Sequence, residues 1–510
     1  ASPPYMPDSS LDAPRPTHPP DYAAVNFIED VLERYPASKP ALVTIAPDGE
    51  RRIWHFGELI ARSAGLSGAF AARGVKRGDV VMTLVGNRAE WVLAMLACWR
   101  MGAIAMPCNT QLRRHDLETR IHASNPVLCV GEEGPLGELP DGVPYMTMED
   151  VGTVMDEERP QEAPVEPVAL DPDDGALVIF TSGTTGDPRG ALHAQRYLPG
   201  QQLQAVHWFG ARNGELAWCT AATGWSKSSR NSFVAPWLTG AAALLHDGRF
   251  DPEERLRLVE REGVNVLCQA PTEYRMIAKR TTVRSLPSVR RMVSAGEALN
   301  PEVIGEFRDR AGLEICDGYG QTETGAVTGM QPGHEVRPGS MGRPLPGIKL
   351  RIVDGELQLK AASCPTFFVG YLGSEGGPDL IDGEWWSTGD YVREDDDGTL
   401  WFEGRGDDII VSAGYRIGPY EVESALVSHP AVAEAAAVPA PDSERGSVVK
   451  AIVVLREGEP SEGLAHQLQD HVKRVTAPYK YPRIIEFADE LPKTASGKIK
   501  RSELRADGSS

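Results

Sequence analysis

Residues 179–190 read IFTSGTTGDPRG, and the interpretation of the whole chain starts from this stretch. Its apolar beginning is typical of a buried strand, and a run of Thr, Ser and Gly follows at once. Glycine lets backbone N–H groups approach an anion closely, and the hydroxyl groups add further donors. Arg189 offers charge-assisted hydrogen bonds to phosphate oxygens. The stretch therefore predicts a phosphate-binding loop rather than a flexible surface turn.

Two common nucleotide-binding patterns do not fit the chain. In the pattern GxxxxGK[ST] counted from Gly183, Pro188 stands where the second glycine is required. In GYGQTETG, residues 318–325, Glu323 stands where the dinucleotide pattern GxGxxG requires its third glycine. The sequence thus disfavours a Walker-type NTPase and a Rossmann dinucleotide site.

The totals of the sequence exclude several classes of protein. A length of 510 residues favours two to four domains, and a net charge of −20 argues against binding to nucleic acid or to anionic membranes. The seven scattered cysteines favour a reducing compartment over a disulfide framework. No apolar run is long enough to span a bilayer, and no signal-peptide pattern is present. We therefore expect a cytoplasmic protein with a flexible tail at residues 1–22.

Strands and helices alternate over the first 330 residues. Residues 79–107 read as strand, helix and strand, with Asn87 as the expected N-cap and Gly102 just past the helix. A second such unit lies in residues 241–295, where Asp251 and Pro252 begin a helix. This alternation predicts an α/β fold with parallel sheets.

The pattern changes after about residue 335. Short β-like runs joined by Asp354-Gly355 and Asp397-Gly398 predict an antiparallel, β-rich subdomain. A small α+β unit begins near residue 408. We therefore expect a large N-terminal domain at residues 23–406, with parallel-rich α/β sheets and the β-rich subdomain, and a small mobile C-terminal domain at residues 407–510.

The phosphate-loop stretch resembles that of the adenylate-forming superfamily, which includes acyl-CoA synthetases, adenylation domains and luciferases. Further motifs follow in the order of that family, and together they are highly specific. They are SAGEAL (294–299), DGYGQTETG (317–325), GELQLK (355–360), WWSTGD (385–390), GRGDDIIVSAGYRIGPYEVE (404–423) and LPKTASGKIKR (491–501). The run from residue 471 to 504 is similar in particular to that of the medium-chain acyl-CoA synthetases.

The resemblance implies two half-reactions. A carboxylic acid attacks the α-phosphate of ATP to give acyl-AMP and pyrophosphate, and CoA then takes the acyl group and releases AMP. The implied substrates and cofactors are ATP, Mg²⁺, CoA and a small carboxylic acid of medium-chain or similar size. A homo-oligomer is left open.

The resemblance also assigns residues to the nucleotide. Lys498 is expected to enter from the C-terminal domain and to stabilise charge at the α-phosphate, although an exposed lysine in a Ser-Gly loop would look the same. The residues expected around ATP and AMP are Thr181, Ser182, Gly183, Thr184, Thr185, Gly186, Arg189, Gly296, Glu297, Ala298, Asp317, Gly318, Tyr319, Gly320, Gln321, Thr322, Asp390, Arg405 and Lys498. The family usually carries lysine at the position of Arg189.

Catalytic, metal and hinge roles follow in the same way. Glu323 and Thr184 are expected to hold Mg²⁺, with Thr322, Glu323, Arg416 and Lys498 acting in catalysis. A lone Glu323 would more often be a surface residue, and a lone Asp390 a turn former. Asp407 matches the hinge about which the C-terminal domain rotates.

CoA and the acyl group complete the assignment. The residues expected to contact CoA are Gln111, Ala413, Gly414, Tyr415, Arg445, Lys473, Tyr481, Pro482 and Arg483, although each exposed cation could serve solubility alone. Trp225 is expected in the wall of the acyl pocket or, equally, in the core. Gly320 is expected to leave space for an acyl group larger than acetate. Polar residues at Ser226, Lys227, Ser228 and Arg230 leave room for a hydroxylated or dicarboxylic acid.

Two other functions remain open at this point. The chain could load the thiol of an acyl-carrier protein instead of CoA, although its C-terminal residues resemble the CoA-using members. A non-catalytic sensor of acyl groups or nucleotides would be expected to lack Glu323, Asp390 or Lys498, and all three residues are present.

Overall fold

The computed structural model describes ten segments of the chain. They are residues 25–156, 163–181, 188–297, 299, 301–374, 377–412, 415–442, 446–456, 458–493 and 499–506. Within these residues, no helix combines the length and the apolar character needed to cross a bilayer.

The strands are numbered along the described part of the chain. Those before residue 250 are β1 (Pro40–Ile45), β2 (Arg51–His55), β3 (Val80–Leu84), β4 (Ile104–Pro107), β5 (Leu128–Gly131), β6 (Tyr145–Thr147), β7 (Gly175–Thr181), β8 (Arg189–Ala194), β9 (Leu216–Cys219) and β10 (Ala242–His246). Those after it are β11 (Val266–Gln269), β12 (Arg291–Ala295), β13 (Ile315–Gln321), β14 (Gly325–Gly329), β15 (Arg343–Pro344), β16 (Leu350–Val353), β17 (Glu356–Lys360), β18 (Gly370–Tyr371), β19 (Trp385–Glu394), β20 (Leu400–Arg405), β21 (Ile410–Ser412), β22 (Tyr415–Ile417), β23 (Val432–Asp442), β24 (Gly446–Leu455) and β25 (Ile484–Phe487).

The helices connect these strands. In the described residues they are α1 (Phe56–Ala72), α2 (Ala89–Met101), α3 (Arg114–Ser124), α4 (Glu133–Leu136), α5 (Met148–Asp156), α6 (Tyr197–Gly200), α7 (Gln202–Gln204), α8 (Ser226–Asn231), α9 (Val234–Leu238), α10 (Pro252–Glu262), α11 (Pro271–Arg280), α12 (Pro301–Ala311), α13 (Pro419–Val427), α14 (Glu462–Val475) and α15 (Arg501–Ala506).

Two sheets with long parallel runs form the N-terminal part. Among the described residues, one has the strand order β18-β8-β7-β4-β3-β5-β6 and the other β15-β14-β13-β12-β11-β9-β10-β1-β2. Helix α2 is buried along almost its whole length and is apolar except for Glu90 and Arg100, whereas α1 is buried mainly over its second half. The expected α/β class with parallel-rich sheets is confirmed.

Local signals explain where the helices begin and end. Helix α2 ends at Gly102, whose φ of 75° is the left-handed conformation that glycine adopts without strain. Its N-cap is Arg88 rather than the expected Asn87. Asp251 caps α10 by accepting from the N–H of Glu254 at 2.8 Å, and Pro252 occupies the first helical position, as expected.

The β-rich subdomain is an antiparallel sheet with strand order β16-β17-β19-β20 within the described residues. The turn between β16 and β17 places Asp354 and Gly355 at φ values of 51° and 87°. Positive φ at both positions is the conformation that Asp-Gly favours in two-residue hairpins. The sequence prediction of this hairpin and of an antiparallel sheet is confirmed.

The C-terminal part has a core of its own. Its apolar side chains, from Ile410 to Phe487, pack between α13, α14 and the sheet β23-β24-β25. This core begins just after Asp407, where the sequence predicts the hinge. The small α+β unit expected here is present, and the exact boundary at residue 407 remains a prediction.

Candidate active site

Two of the family motifs meet at the ends of neighbouring strands. β12 and β13 run parallel, with Ala295 beside Gly318 in register. Gly296 and Glu297 follow β12, while residues 317–321 form most of β13. Because parallel strands end at the same edge of a sheet, both motifs open onto one side of the molecule.

Asp317 and Gly318 are packed tightly against their surroundings. A Cβ atom at Gly318 would lie 2.5 Å from Nε1 of Trp208, so only glycine fits there. The Asp317 side chain is buried and accepts from the N–H of Gly318 at 3.0 Å. Burial raises the pKa of its carboxyl well above the ordinary value. Strand β13 is therefore tightly packed and shielded from water at Asp317 and Gly318.

Asp390 is the centre of a hydrogen-bonded cluster. It is buried at the end of the TGD motif, and it accepts from the Tyr319 hydroxyl and from Nε2 of Gln321 at 2.8 Å. Arg405 lies opposite Asp390 on β20, with 3.9 Å between Nε and the carboxylate. Burial, followed by the Asp390 charge, raises the pKa of Tyr319. The fold thus brings together four residues that were expected at the nucleotide and that are far apart in sequence.

Tyr371 contacts both Arg189, the cation expected to bind phosphate, and Glu323, the expected metal ligand. Its hydroxyl donates to Oε1 of Glu323 at 2.6 Å, and the Arg189 guanidinium lies 3.5 Å from the centre of its ring. Burial and the nearby Glu323 charge raise the pKa of Tyr371. The backbone carbonyl of Glu323 also accepts from the N–H of Phe368 at 2.8 Å. Glu323 is therefore held by two separate hydrogen bonds.

The Glu297 side chain is occupied by protein groups. Its carboxylate accepts from the N–H of Thr272 at 2.9 Å and from Arg275 at 2.9 Å. Although burial raises the pKa of Glu297, Arg275 and Thr272 outweigh that effect and lower it overall. The SAGEAL motif can therefore offer its backbone to a nucleotide, while its carboxylate fixes the loop to α11.

Gly320 is required by the local backbone. The pairing of β13 with β14 shifts register between Tyr319 and Gly320. A Cβ atom at Gly320 would lie 1.8 Å from the carbonyl oxygen of Gly325. The space beside Gly320 is thus filled by backbone, and a role in opening an acyl pocket would require this backbone to move.

Helix α8 connects the motif edge to the protein interior. Trp225, its N-cap, is half-buried and belongs to none of the hydrophobic clusters of the described residues, and its place in the wall of an acyl pocket remains a prediction. Lys227 donates to the carbonyl of Ala295 at 2.7 Å. The residues preceding α8 pack closely as well, since a Cβ at Gly224 would lie 2.5 Å from the backbone nitrogen of Asn109.

The C-terminal residues expected to contact CoA form two aromatic groups. Tyr415 stacks on Tyr479 with ring centres 4.5 Å apart, and both side chains are exposed. Lys473 and Arg483 lie over the ring of Tyr481 at 4.4 and 5.1 Å. Pro482, next in the chain after Tyr481, is buried. Stacked rings beside cations suit a ligand with a flat base and phosphates.

The C-terminal part of the chain contacts the N-terminal part near the SAGEAL motif. The Tyr420 hydroxyl on α13 donates to the carbonyl of Leu299 at 2.9 Å. Burial and then the Asp317 charge raise the pKa of Tyr420, which places this tyrosine near the nucleotide motif. Asp407 is exposed in the turn that follows β20.

Several expected residues lie outside the described part of the chain. These are Ser182, Gly183, Thr184, Thr185, Gly186, Ala298, Ala413, Gly414, Arg445 and Lys498, together with the side chain of Arg416. Thr181 and Arg189 flank the first of these gaps and face each other on β7 and β8. Gln111 is exposed on the loop after β4, and no contact in the described residues joins it to the C-terminal group.

Sequence reasoning did not identify Tyr371, Trp386 or Tyr420. Trp386 donates to Oε1 of Gln321 at 3.2 Å and so orients the amide that binds Asp390. The signals were present, since Trp386 belongs to the WWSTGD motif and Tyr371 stands in a short Gly-Tyr-Leu-Gly turn. Their roles depend on strand pairing, which the sequence did not reveal.

Comparisons with known proteins show which families and structures the chain is similar to. The family described as "AMP-binding enzyme" matches residues 28–371, and "AMP-binding enzyme C-terminal domain" matches residues 421–498. The uncharacterised acyl–CoA ligase YtcI of Bacillus subtilis (strain 168) is 39% identical over 500 residues, which cover 93% of this chain and 94% of YtcI. The mitochondrial acyl-coenzyme A synthetase ACSM3 of Mus musculus is 36% identical over 94% of this chain and 90% of its own. The crystal structure of the anthranilate CoA ligase AuaEII with anthranoyl-AMP superposes with a TM-score of 0.85 at 31% identity, covering 95% and 97% of the two chains.

Proposed function

The chain belongs to the AMP-binding enzyme family and is an AMP-forming acyl-CoA synthetase, and on this premise we propose how its residues act and on which acid. ATP and CoA are its substrates. We assign the nucleotide to the edge formed by Asp317–Gln321, Asp390 and Arg405, and the acid to the side of α8. The acid is of medium-chain or similar size.

The buried Asp390 cluster carries this assignment. A carboxylate that is already hydrogen-bonded by Tyr319 and Gln321 is fixed in place before a ligand arrives. Such a fixed acceptor can bind ribose hydroxyl groups without reorganising, and Arg405 beside it limits the cost of burying the charge. A non-catalytic nucleotide sensor would use the same acceptor, so pyrophosphate release rather than nucleotide binding separates the two functions.

Charge neutralisation is the second part of the mechanism. Attack of a carboxylate on the α-phosphate of ATP brings two anions together, so cations and backbone donors must offset the repulsion. Arg189 and the residues of the 181–189 loop would hold the outer phosphates, and Lys498 would reach the α-phosphate. Tyr371 keeps the Arg189 and Glu323 side chains in a fixed relation.

Glu323 fits the magnesium ion that this chemistry uses. Its carboxylate is a hard oxygen ligand of the kind Mg²⁺ prefers, and only one of its oxygens accepts from Tyr371. Among the described residues no group of three or more His, Cys, Asp and Glu side chains is arranged as a metal cage. Phosphate oxygens and water would therefore supply most of the ligands. A bound Mg²⁺ would add charge neutralisation at the phosphates.

The second half-reaction would use the C-terminal surface. The Tyr415–Tyr479 stack and the cations around Tyr481 would take the nucleotide end of CoA, while rotation about Asp407 brings the thiol to the acyl carbon. Transfer to an acyl-carrier protein remains the second candidate. It differs in requiring no nucleotide-binding surface on the C-terminal domain.

A panel of carboxylic acids tests the proposal. We expect acid-dependent release of pyrophosphate with the wild-type enzyme and thioester formation with CoA rather than with a carrier protein.

The Lys498→Ala variant tests the role of the lysine. It should lower acyl-AMP formation by at least about a hundredfold, because it removes a charge at the α-phosphate, and it should spare thioester formation from supplied acyl-AMP. An equal loss of both half-reactions would refute the role of Lys498. Absence of pyrophosphate release with every acid would refute the proposed function.

A further inference from the structure

Arg230 on α8 is a buried cation without an acidic partner among the described residues. Its side chain is 5% exposed, and one guanidinium N–H group donates to Oγ of Ser226 at 3.0 Å. Its Nε is buried and has no hydrogen-bond partner within the described residues. Burying an unpaired charge is strongly destabilising, so such groups are normally matched by an anion. Arg255, which is equally buried, binds Glu273 and Gln269.

Other buried polar side chains surround Arg230 with their hydrogen-bonding capacity unused. Both ring nitrogens of His193, the Tyr197 hydroxyl and both amide atoms of Gln201 make no hydrogen bond of normal geometry within the described residues. His193 nevertheless lies near the backbone of Thr322 and Thr366, and Tyr197 lies near Ser226 and Arg230. The centres of the His193 and Tyr197 rings lie 4.2 Å apart. The positive charge of Arg230 acts to lower the pKa of both side chains. We call His193, Tyr197, Gln201 and Arg230 the Arg230 cluster. Buried polar groups nearly always find partners, so several unmet groups in one place indicate a ligand.

The Arg230 cluster borders the reaction centre assigned above. His193 lies against the backbone of Thr322 and Thr366. The Gln201 amide lies 3.7 Å from the position a Cβ would take at Gly325, just past the QTE motif. One helical turn before Arg230, Lys227 reaches the carbonyl at the end of β12. Arg230 therefore lies close to Thr322, with the ring of His193 near both.

We propose that Arg230 binds a second anionic group of the substrate, so that the acid activated by this enzyme is a dicarboxylic acid. One carboxylate is adenylated near Thr322 and the other pairs with the guanidinium, with Tyr197 and Gln201 as hydrogen-bonding neighbours. An unsubstituted apolar chain would leave the cation and its polar neighbours without partners. The inference rests on the proposed function and deepens it by naming the class of acid.

Matched pairs of acids test this directly. Linear dicarboxylic acids of increasing length are compared with their monomethyl esters, which lose the second charge and are larger by only one methyl group. We expect wild-type kcat/KM for acid-dependent AMP release to favour the best diacid over its monoester by at least about tenfold, because a buried charge-assisted hydrogen bond is lost in the ester. Arg230→Leu should reverse this preference, and Arg230→Lys should retain part of it.

Arg196→Leu is the matched control. Arg196 lies close to His193 but is paired with Asp173 and with the carbonyls of Pro365 and Phe367. Arg196→Leu should lower the free energy of unfolding without altering the ratio of kcat/KM for the diacid to kcat/KM for the monoester.

Two results would overturn the dicarboxylate inference while leaving the acyl-CoA synthetase assignment in place. One is a ratio near one in the wild type, and the other is a ratio that is unchanged in Arg230→Leu. If Arg230→Leu does not fold, the wild-type ratio and Arg230→Lys decide the case. AMP release with no acid at all would instead overturn the proposed function.

Discussion

Arg189 stands where the family usually has lysine, and its contact with Tyr371 gives a physical reason. A planar guanidinium can lie flat on an aromatic ring, whereas an ammonium group is a compact point charge. Here the guanidinium lies 3.5 Å from the centre of the Tyr371 ring, and the hydroxyl of the same tyrosine holds Glu323. Tyr371 thus fixes the distance between the cation proposed to bind phosphate and the carboxylate proposed to bind Mg²⁺.

Tyr371→Phe separates the two roles of this residue. The ring remains under Arg189, but the hydrogen bond to Glu323 is lost, which corresponds to about 1 kcal/mol or a factor of about five. We expect a fall of that size in the rate of ATP–pyrophosphate exchange and a higher Mg²⁺ requirement. Tyr145→Phe, at an exposed tyrosine outside the site, is the control. An unchanged Mg²⁺ dependence would contradict the linkage.

At the scale of elements, helix α15 fixes the turn that contains the expected hinge. Arg505 donates to the carbonyl of Asp407 at 2.6 Å and pairs with Asp408. On the same helix, Arg501 binds both oxygens of Glu423 at 2.8 Å. The helix follows directly after the segment that carries Lys498. The contacts therefore tie α15, which begins three residues after Lys498 in the sequence, to the turn at Asp407.

Arg505→Ala should loosen the turn locally. Loss of these two charge-assisted contacts at a partly exposed site corresponds to at least about 1 kcal/mol, so amide hydrogen exchange should become at least about fivefold faster at Asp408 and Ile409. Exchange in β23 and β24 should not change. Lys500→Ala serves as control, because Lys500 pairs with Glu503 on its own helix rather than with the hinge. Equal exchange rates in the wild type and Arg505→Ala would mean that α15 does not hold the hinge.

The positions of several helices, strands and turns could be predicted because local sequence signals determine them. The Asp354-Gly355 hairpin and the cap at Asp251 depend on backbone preferences of single residues. The order of strands could not be predicted, since β1, which pairs with β10, is contributed by a segment about two hundred residues earlier in the chain. Tyr371 was missed for the same reason, because β18 pairs with β8 across a long separation in sequence.

At the scale of the whole molecule, acid should destabilise the protein through His193. Burial, and then the Arg230 charge, lowers the pKa of His193 to about 3 from the ordinary 6.5. The folded protein therefore keeps His193 neutral, whereas the unfolded chain binds a proton below pH 6.5. This contribution to stability is complete above that pH and is lost as the pH falls towards 3.

Urea unfolding at pH 7 and pH 5.5 measures this contribution. One unit below the ordinary pKa corresponds to about 1.4 kcal/mol, so the wild type should lose about 1 kcal/mol more than His193→Gln over this interval. His115→Gln, at an exposed histidine, should behave like the wild type. Equal losses in the wild type and His193→Gln would show that His193 is not kept neutral by burial.

The sequence by itself determined the family, the α/β class, the two half-reactions and the positions of the main motifs. It could do so because those motifs carry their chemistry in short runs of neighbouring residues. Only the tertiary structure revealed that Tyr371 joins Arg189 to Glu323, that backbone fills the space beside Gly320, and that Arg230 lies buried without an acidic partner in the described residues. Those features depend on how strands pair in register, on which segments become neighbours and on how much water they exclude, and burial decides the energy of a charge.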